Sequence, residues 1–125
     1  WSDYVRFGPV DIGFEPDLLQ RLIAHGVDMV SPITWQGDIF YDIWALSVGG
    51  RFYGNFSRRE VPQLFPVGLT RATTIGGTML MRAEVVASGV RYGAVDVDRG
   101  LCMQATARGY GLWFDPTTQV EHLHA

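Results

Sequence analysis

Residues 16–32 read as a helix followed at once by a strand, and that pairing limits the chain to architectures in which helices cover a sheet. Pro16 suits the first helical position and Asp17 the positive amino end of the helix dipole, while Leu18, Leu19, Leu22 and Ile23 recur at helical spacing until Gly26 breaks the pattern. The spacing predicts an amphipathic helix of about three turns. Val27–Ser31 (VDMVS) then predicts a short strand that Pro32 ends, because proline lacks a ladder donor and restricts the residue before it.

The same alternation continues to the end of the chain. Trp1–Phe7 alternates apolar with polar side chains, as a strand end does. Gly76-Gly77 precedes a strand-like run to Arg82, and Ala83–Ser88 predicts one or two helical turns closed by Gly89. Asp98–Arg108 predicts a second full helix, with Leu101, Cys102 and Ala105 on one face and Gly109 just past its end. Gly111–Phe114 predicts a strand, Asp115-Pro116 a turn, and Val120–His122 a last strand. Between the two halves, from Ile33 to Leu69, glycines and prolines interrupt any period while Trp35, Phe40, Tyr41, Trp44, Phe52, Tyr53 and Phe56 crowd together. Such a stretch predicts a long loop region that is functional or mobile. One α/β layered domain over residues 1–125 is the expectation.

Composition narrows the partners. With 125 residues, 47% of them hydrophobic and 18% charged, the chain has the make-up of a globular domain with its own core. The net charge is −3, the basic residues are all arginine, and only Arg58 and Arg59 are adjacent, so no basic stripe is available to follow a nucleic-acid backbone. A single cysteine, Cys102, cannot form an internal disulfide; it fits a core position and a reducing, cytoplasmic setting. No apolar run approaches the roughly 20 residues that span a bilayer. Trp1 stands in what reads as a strand end, so the chain is expected to be the later part of a longer protein, which would reach a membrane only through other segments.

Few side chains carry chemistry. Asp96 and Asp98 flank the start of the second helix, where a carboxylate either caps orphan N–H groups or, if it faces a cleft, accepts a proton from a hydroxyl. His122 and His124 alternate on the last strand and share a face, an arrangement open to a divalent metal or to a solvated chain end. Asp3 is a possible metal carboxylate at the other terminus. In FYDIW, Tyr41, Asp42 and Trp44 combine flat rings with an acid, which suits a sugar ring and its hydroxyls as well as ordinary core packing.

The order of these motifs resembles the C-terminal half of GT-A glycosyltransferases, family 2 among them. The carriers are DRGLC from Asp98, the Arg108-Gly109-Tyr110 step, Phe114-Asp115-Pro116 and Val120-Glu121-His122, preceded by GGTMLMRAE from Gly76. WSDYVRF, PDLLQRLI, DMVSPITW and FYDIWAL are similar to fungal Anp1-type and capsule-associated mannosyltransferases, so the resemblance covers nearly the whole chain. It implies a partial GT-A fold (Rossmann-like, of the nucleotide-diphospho-sugar transferases), a mixed sheet with flanking helices, truncated at its N-terminus.

It also implies transfer of a hexose, mannose if the Anp1-type and capsule-associated families are the guide, from a nucleotide-sugar donor to a glycan or other hydroxyl acceptor. Asp98 would be the acceptor base, with Asp96 as runner-up; Val97 stands where the usual Glu precedes it. Gly76, Gly77 and Thr78, with Tyr41, Asp42 and Trp44, would line the sugars. Asp3 and His122 would hold Mn²⁺ or Mg²⁺ against the diphosphate, although Val5 replaces the second acid of the Asp-any-Asp motif. The competing expectations are a non-catalytic carbohydrate-binding or assembly subunit that keeps the fold, and an unrelated α/β domain.

Overall fold

The computed structural model describes residues 4–7, 12–13, 17–40, 46–54, 56–76, 78–90 and 97–122. In chain order these form strands β1 (Tyr4–Phe7) and β2 (Ile12–Gly13), helix α1 (Leu18–Ala24), strands β3 (Met29–Gln36), β4 (Ile39–Phe40), β5 (Ser47–Val48) and β6 (Arg51–Phe52), a 3₁₀ turn (Arg58–Glu60), helix α2 (Val61–Leu64), strands β7 (Thr70–Ala72) and β8 (Met79–Arg82), helices α3 (Ala83–Ala87) and α4 (Val97–Ala107), and strand β9 (Leu112–His122). The fold is mixed α/β: a mixed sheet with helices against it, as expected at that level.

The main sheet runs β1-β8-β3-β9-β2, with β4 pairing β3 and β7 pairing β9. β3 and β9 are parallel, whereas β8 lies antiparallel to both β1 and β3. Parallel neighbours need a long crossover, and everything from β4 to α4 lies between β3 and β9 in the chain.

Side-chain alternation divides the core between the two faces. Met79 and Met81 of β8, Leu112 and Phe114 of β9, and Met29 of β3 join a large cluster covered by Val85 of α3 and by Leu101, Cys102 and Ala105 of α4. Leu80, Val30, Trp113 and Val120 point the other way, onto Leu22 of α1. The helix predicted from Leu18–Ile23 thus does what its apolar stripe requires: it seals the second face.

Three expectations are corrected here. Pro32 does not end the strand, since β3 continues to Gln36. Its missing N–H is tolerated because the β3–β9 ladder breaks at that point: Pro32 stands opposite Asp115 and Ile33 opposite Gln119, leaving Pro116, Thr117 and Thr118 as extra residues on β9. For the same reason Asp115-Pro116 is a bulge inside one long strand, and no turn separates two strands there.

The third correction concerns the aromatic stretch. Trp35, Phe40, Phe56 and Phe65 are buried in the large cluster with Phe114. Phe40 stacks on Phe56 with centroids 4.6 Å apart, and Phe65 meets Phe114 at 5.1 Å. Gly49 and Gly50, both at positive φ (60° and 81°), close the β5–β6 hairpin in the two-residue turn that only such backbone permits easily. The glycines and prolines of this region therefore punctuate short elements around an aromatic core.

Candidate functional site

Opposite the β9 bulge, β3 lies against the segment that precedes β8. Ser31 Oγ lies 2.9 Å from the Gly76 carbonyl oxygen, 2.8 Å from that of Thr78 and 3.1 Å from that of Pro32. One hydroxyl proton serves one of these acceptors at a time. Beside this node is a small cavity of about 10 Å³, bounded by Ser31, Pro32, Thr34, Phe40, Leu46, Gly76 and Phe114. The hydroxyls of Thr34 and Thr78 are buried and have no hydrogen-bond partner. Gly76 and Thr78, both expected to contact sugar, are thus brought together with β3, and the Thr78 hydroxyl is closed off from solvent.

Helix α4 is tied to the same segment through the lone cysteine. Cys102 Sγ donates to the Ile75 carbonyl at 3.2 Å and accepts from the Ile75 N–H at 3.4 Å, one residue before Gly76. Cys102 is fully buried, in keeping with its expected core role. Asp98 lies one helical turn before Cys102, in the first turn of α4.

On the outer side of α4 lies an open groove of about 310 Å³, bounded by Ser47, Gly50, Phe52, Thr73, Thr74 and Met103. Phe52 is 42% and Met103 62% exposed, whereas Ser47 and Thr74 are buried at its base with their hydroxyls 2.7 Å apart. The backbone of Ser47 pairs with that of Thr74, and Gly50 N–H donates to Thr73 Oγ1, so the hairpin is held firmly against the groove floor. The described walls combine an aromatic ring, a thioether and hydroxyls, without a charged side chain.

The bulge on β9 exposes a further arrangement that sequence reasoning missed. Asp115 is buried, and its carboxylate accepts hydrogen bonds from Thr117 N–H (2.9 Å), Thr117 Oγ1 (2.6 Å), Thr118 Oγ1 (2.6 Å) and His25 Nε2 (2.7 Å). Burial alone would push this carboxyl up; the donations from Thr117, Thr118 and His25 outweigh it and hold the group below its ordinary value. A carboxylate only accepts, so His25 Nε2 is the protonated ring nitrogen and α1 is pinned to β9 through it. The signal in the sequence was Asp-Pro-Thr-Thr, an acid followed by two hydroxyls within reach, which was read only as a turn.

The remaining expected site residues divide into two groups. Asp3, Tyr41, Asp42, Trp44, Gly77, Asp96 and His124 lie outside the described residues. His122 ends β9 and stands opposite Ile12 of β2, the residue that follows Asp11 in the chain. Tyr4, next to Asp3 in sequence, pairs with Arg82, whose N–H bonds to Asp28 just before β3 begins. Glu121 is level with Trp35 near the end of β3. Tyr4 and His122 are therefore separated by the length of that 8-residue strand, roughly 25 Å along the sheet. Among the described residues no group of three or more His, Cys, Asp or Glu side chains converges.

No family model and no curated protein matches the chain. Among the described residues, no helix is long and apolar enough to cross a membrane.

Proposed function

We propose that the chain is the acceptor-side part of a nucleotide-sugar glycosyltransferase domain of GT-A type, transferring a hexose to a glycan or other hydroxyl acceptor. One observation carries the reading: described residues that flank two stretches given to the sugars, far apart in sequence, come together. Phe40 and Leu46 bracket residues 41–45, Gly76 opens the Gly-Gly-Thr segment, and all three border the same cavity. Cys102 then fixes α4, and with it the backbone of Asp98, against Ile75. The mixed sheet with flanking helices agrees with this fold and is shared by many others.

In this reading Asp98 accepts the proton of the attacking hydroxyl, a task that asks for a carboxylate at the rim of a water-poor site. The groove beside Met103 receives the acceptor: its ring, thioether and hydroxyls suit a neutral polyhydroxylated ligand better than a diphosphate. A divalent ion would offset charge on the departing diphosphate. Asp3 and His122 are the residues that the resemblance gives to it.

The test is sugar-nucleotide hydrolysis and transfer by the full-length protein over a panel of donors, with Mn²⁺ or chelator. Asp98→Asn should lower transfer by roughly 10²–10⁴-fold with the fold intact, and unchanged transfer would remove the base assignment. His122→Ala and Asp3→Asn should each weaken Mn²⁺ binding, and unaltered Mn²⁺ affinity would remove that residue as a ligand. A second reading, a carbohydrate-binding subunit without catalysis, draws on Val5 and on the distance between Tyr4 and His122; sugar binding without turnover of any donor would favour it.

A further inference from the structure

At the cavity between β3 and the segment before β8, carbonyl oxygens outnumber the one hydroxyl proton that Ser31 offers them. Ser31 Oγ has three carbonyl oxygens within 3.1 Å and one proton to give. Two of those carbonyls belong to Pro32 and Gly76, which border the cavity. Thr34, also on its wall, is 1% exposed, and its hydroxyl is buried without a hydrogen-bond partner. Leaving such a hydroxyl unpaired costs free energy that a close neighbour of the right chemistry recovers. The volume, about 10 Å³, is at the lower limit of what one water molecule occupies and excludes any larger ligand.

We propose that this cavity is a binding site for one internal water molecule, which accepts from Thr34 Oγ1 and donates to the carbonyl acceptors around Ser31. A water has two protons, so it corrects the local excess of acceptors, and its lone pair receives the Thr34 hydroxyl. The remaining walls, Phe40, Leu46 and Phe114, are apolar and leave it no other polar partners among the described residues. The bound water ties the half of β3 that faces the β9 bulge to Gly76. It thereby holds Gly76 against β3 whether or not that part of the chain binds sugar, so the inference stands apart from the proposed activity.

Two measurements on the whole chain test it. A high-resolution crystal structure should show one ordered water within hydrogen-bond distance of Thr34 Oγ1, and water–protein NMR cross-relaxation should detect a long-lived water near the Thr34 methyl group. Thr34→Val, which keeps the shape and removes the hydroxyl, should lose that water and speed amide exchange at Gly76 roughly fivefold, the factor an ordinary hydrogen bond represents. Thr34→Ser should retain both water and protection. A dry cavity in the unaltered protein overturns the proposal, as does a water that persists unchanged in Thr34→Val. If Thr34→Val does not fold, the unaltered protein and Thr34→Ser decide the matter: water in both supports it, and a dry cavity in the unaltered protein ends it.

Discussion

The two ends of β3 are built on opposite principles. At its amino end, polar groups close on one another: Asp28 Oδ2 accepts the Gly111 N–H at 2.9 Å, Arg82 Nη2 donates to the Gly26 carbonyl at 2.6 Å, and the Arg82 guanidinium lies 5.8 Å from the centre of the Tyr4 ring. Toward its carboxyl end the ladder breaks, a proline sits inside the strand, two threonine hydroxyls are buried without partners, and a cavity remains. The first arrangement leaves one such atom, Arg82 Nε, buried without a hydrogen bond, with Asp28 Oδ1 3.6 Å away. The second departs from optimal packing in several ways at once, which is where natural proteins tend to place function. In sheets with parallel strands, ligands also gather beyond the carboxyl ends.

The contrast predicts unequal costs of mutation. Asp115 sits in the bulge that creates the irregular half, and four donors depend on its carboxylate. Asp115→Ala should destabilise the chain by roughly 2–4 kcal/mol, because the Thr118 hydroxyl and its neighbours lose a buried acceptor. Urea unfolding measures this, and a loss below about 1 kcal/mol would show that the bulge is held by packing instead.

Acid should act on the same residue with a definite sign. The folded-state carboxyl of Asp115 titrates below its ordinary value, so its contribution is fully present above the ordinary carboxylate range and is lost as pH falls through the lowered value. Unfolding midpoints should therefore drop on acidification past that range, and Asp115→Asn should flatten this limb. An equally steep acid limb in Asp115→Asn would assign it to other carboxylates. His25, which faces Asp115 from α1, is the partner group to be held constant in that comparison.

The amino end should respond less. Arg82 is partly exposed, and its Nε is 3.6 Å from Asp28 Oδ1, so solvent screens the pair. Arg82→Ala should cost about 0.5–1 kcal/mol. A loss matching that of Asp115→Ala would erase the distinction between the two ends.

Much of this architecture was legible in local pattern. Leu22 announced α1, Leu101 with Cys102 and Ala105 announced the buried face of α4, and these helices lie where the periodicity placed them. What escaped was set by pairing between distant strands. Pro32 carries a local stop signal, and only the extra residues of β9 opposite it explain why the strand continues. Asp115 looks like a turn residue until His25, 90 positions earlier in the chain, arrives beside it. Phe40, Phe56 and Phe65 gave no period because they come from separate short elements into one cluster with Phe114. The meeting of Gly76 with β3 had no local signal, and the hydroxyl that joins them, Ser31, carried none of its own.

The smallest effect on stability should come from the outer groove, and that is what makes it informative. Met103 is among the most exposed apolar side chains described, and a surface change of this kind ordinarily stays within about 0.5 kcal/mol. Met103→Ser should leave the unfolding midpoint nearly unchanged. If the groove receives the acceptor, the same variant should raise the acceptor KM several-fold while donor hydrolysis without acceptor stays constant. That split separates two questions: constant hydrolysis with a raised KM places the acceptor at Met103, whereas an unaltered KM moves it elsewhere and leaves the donor chemistry standing. A large loss of stability instead would mean that Met103 covers part of the core, and the groove would then belong to the packing that distinguishes the two ends of β3.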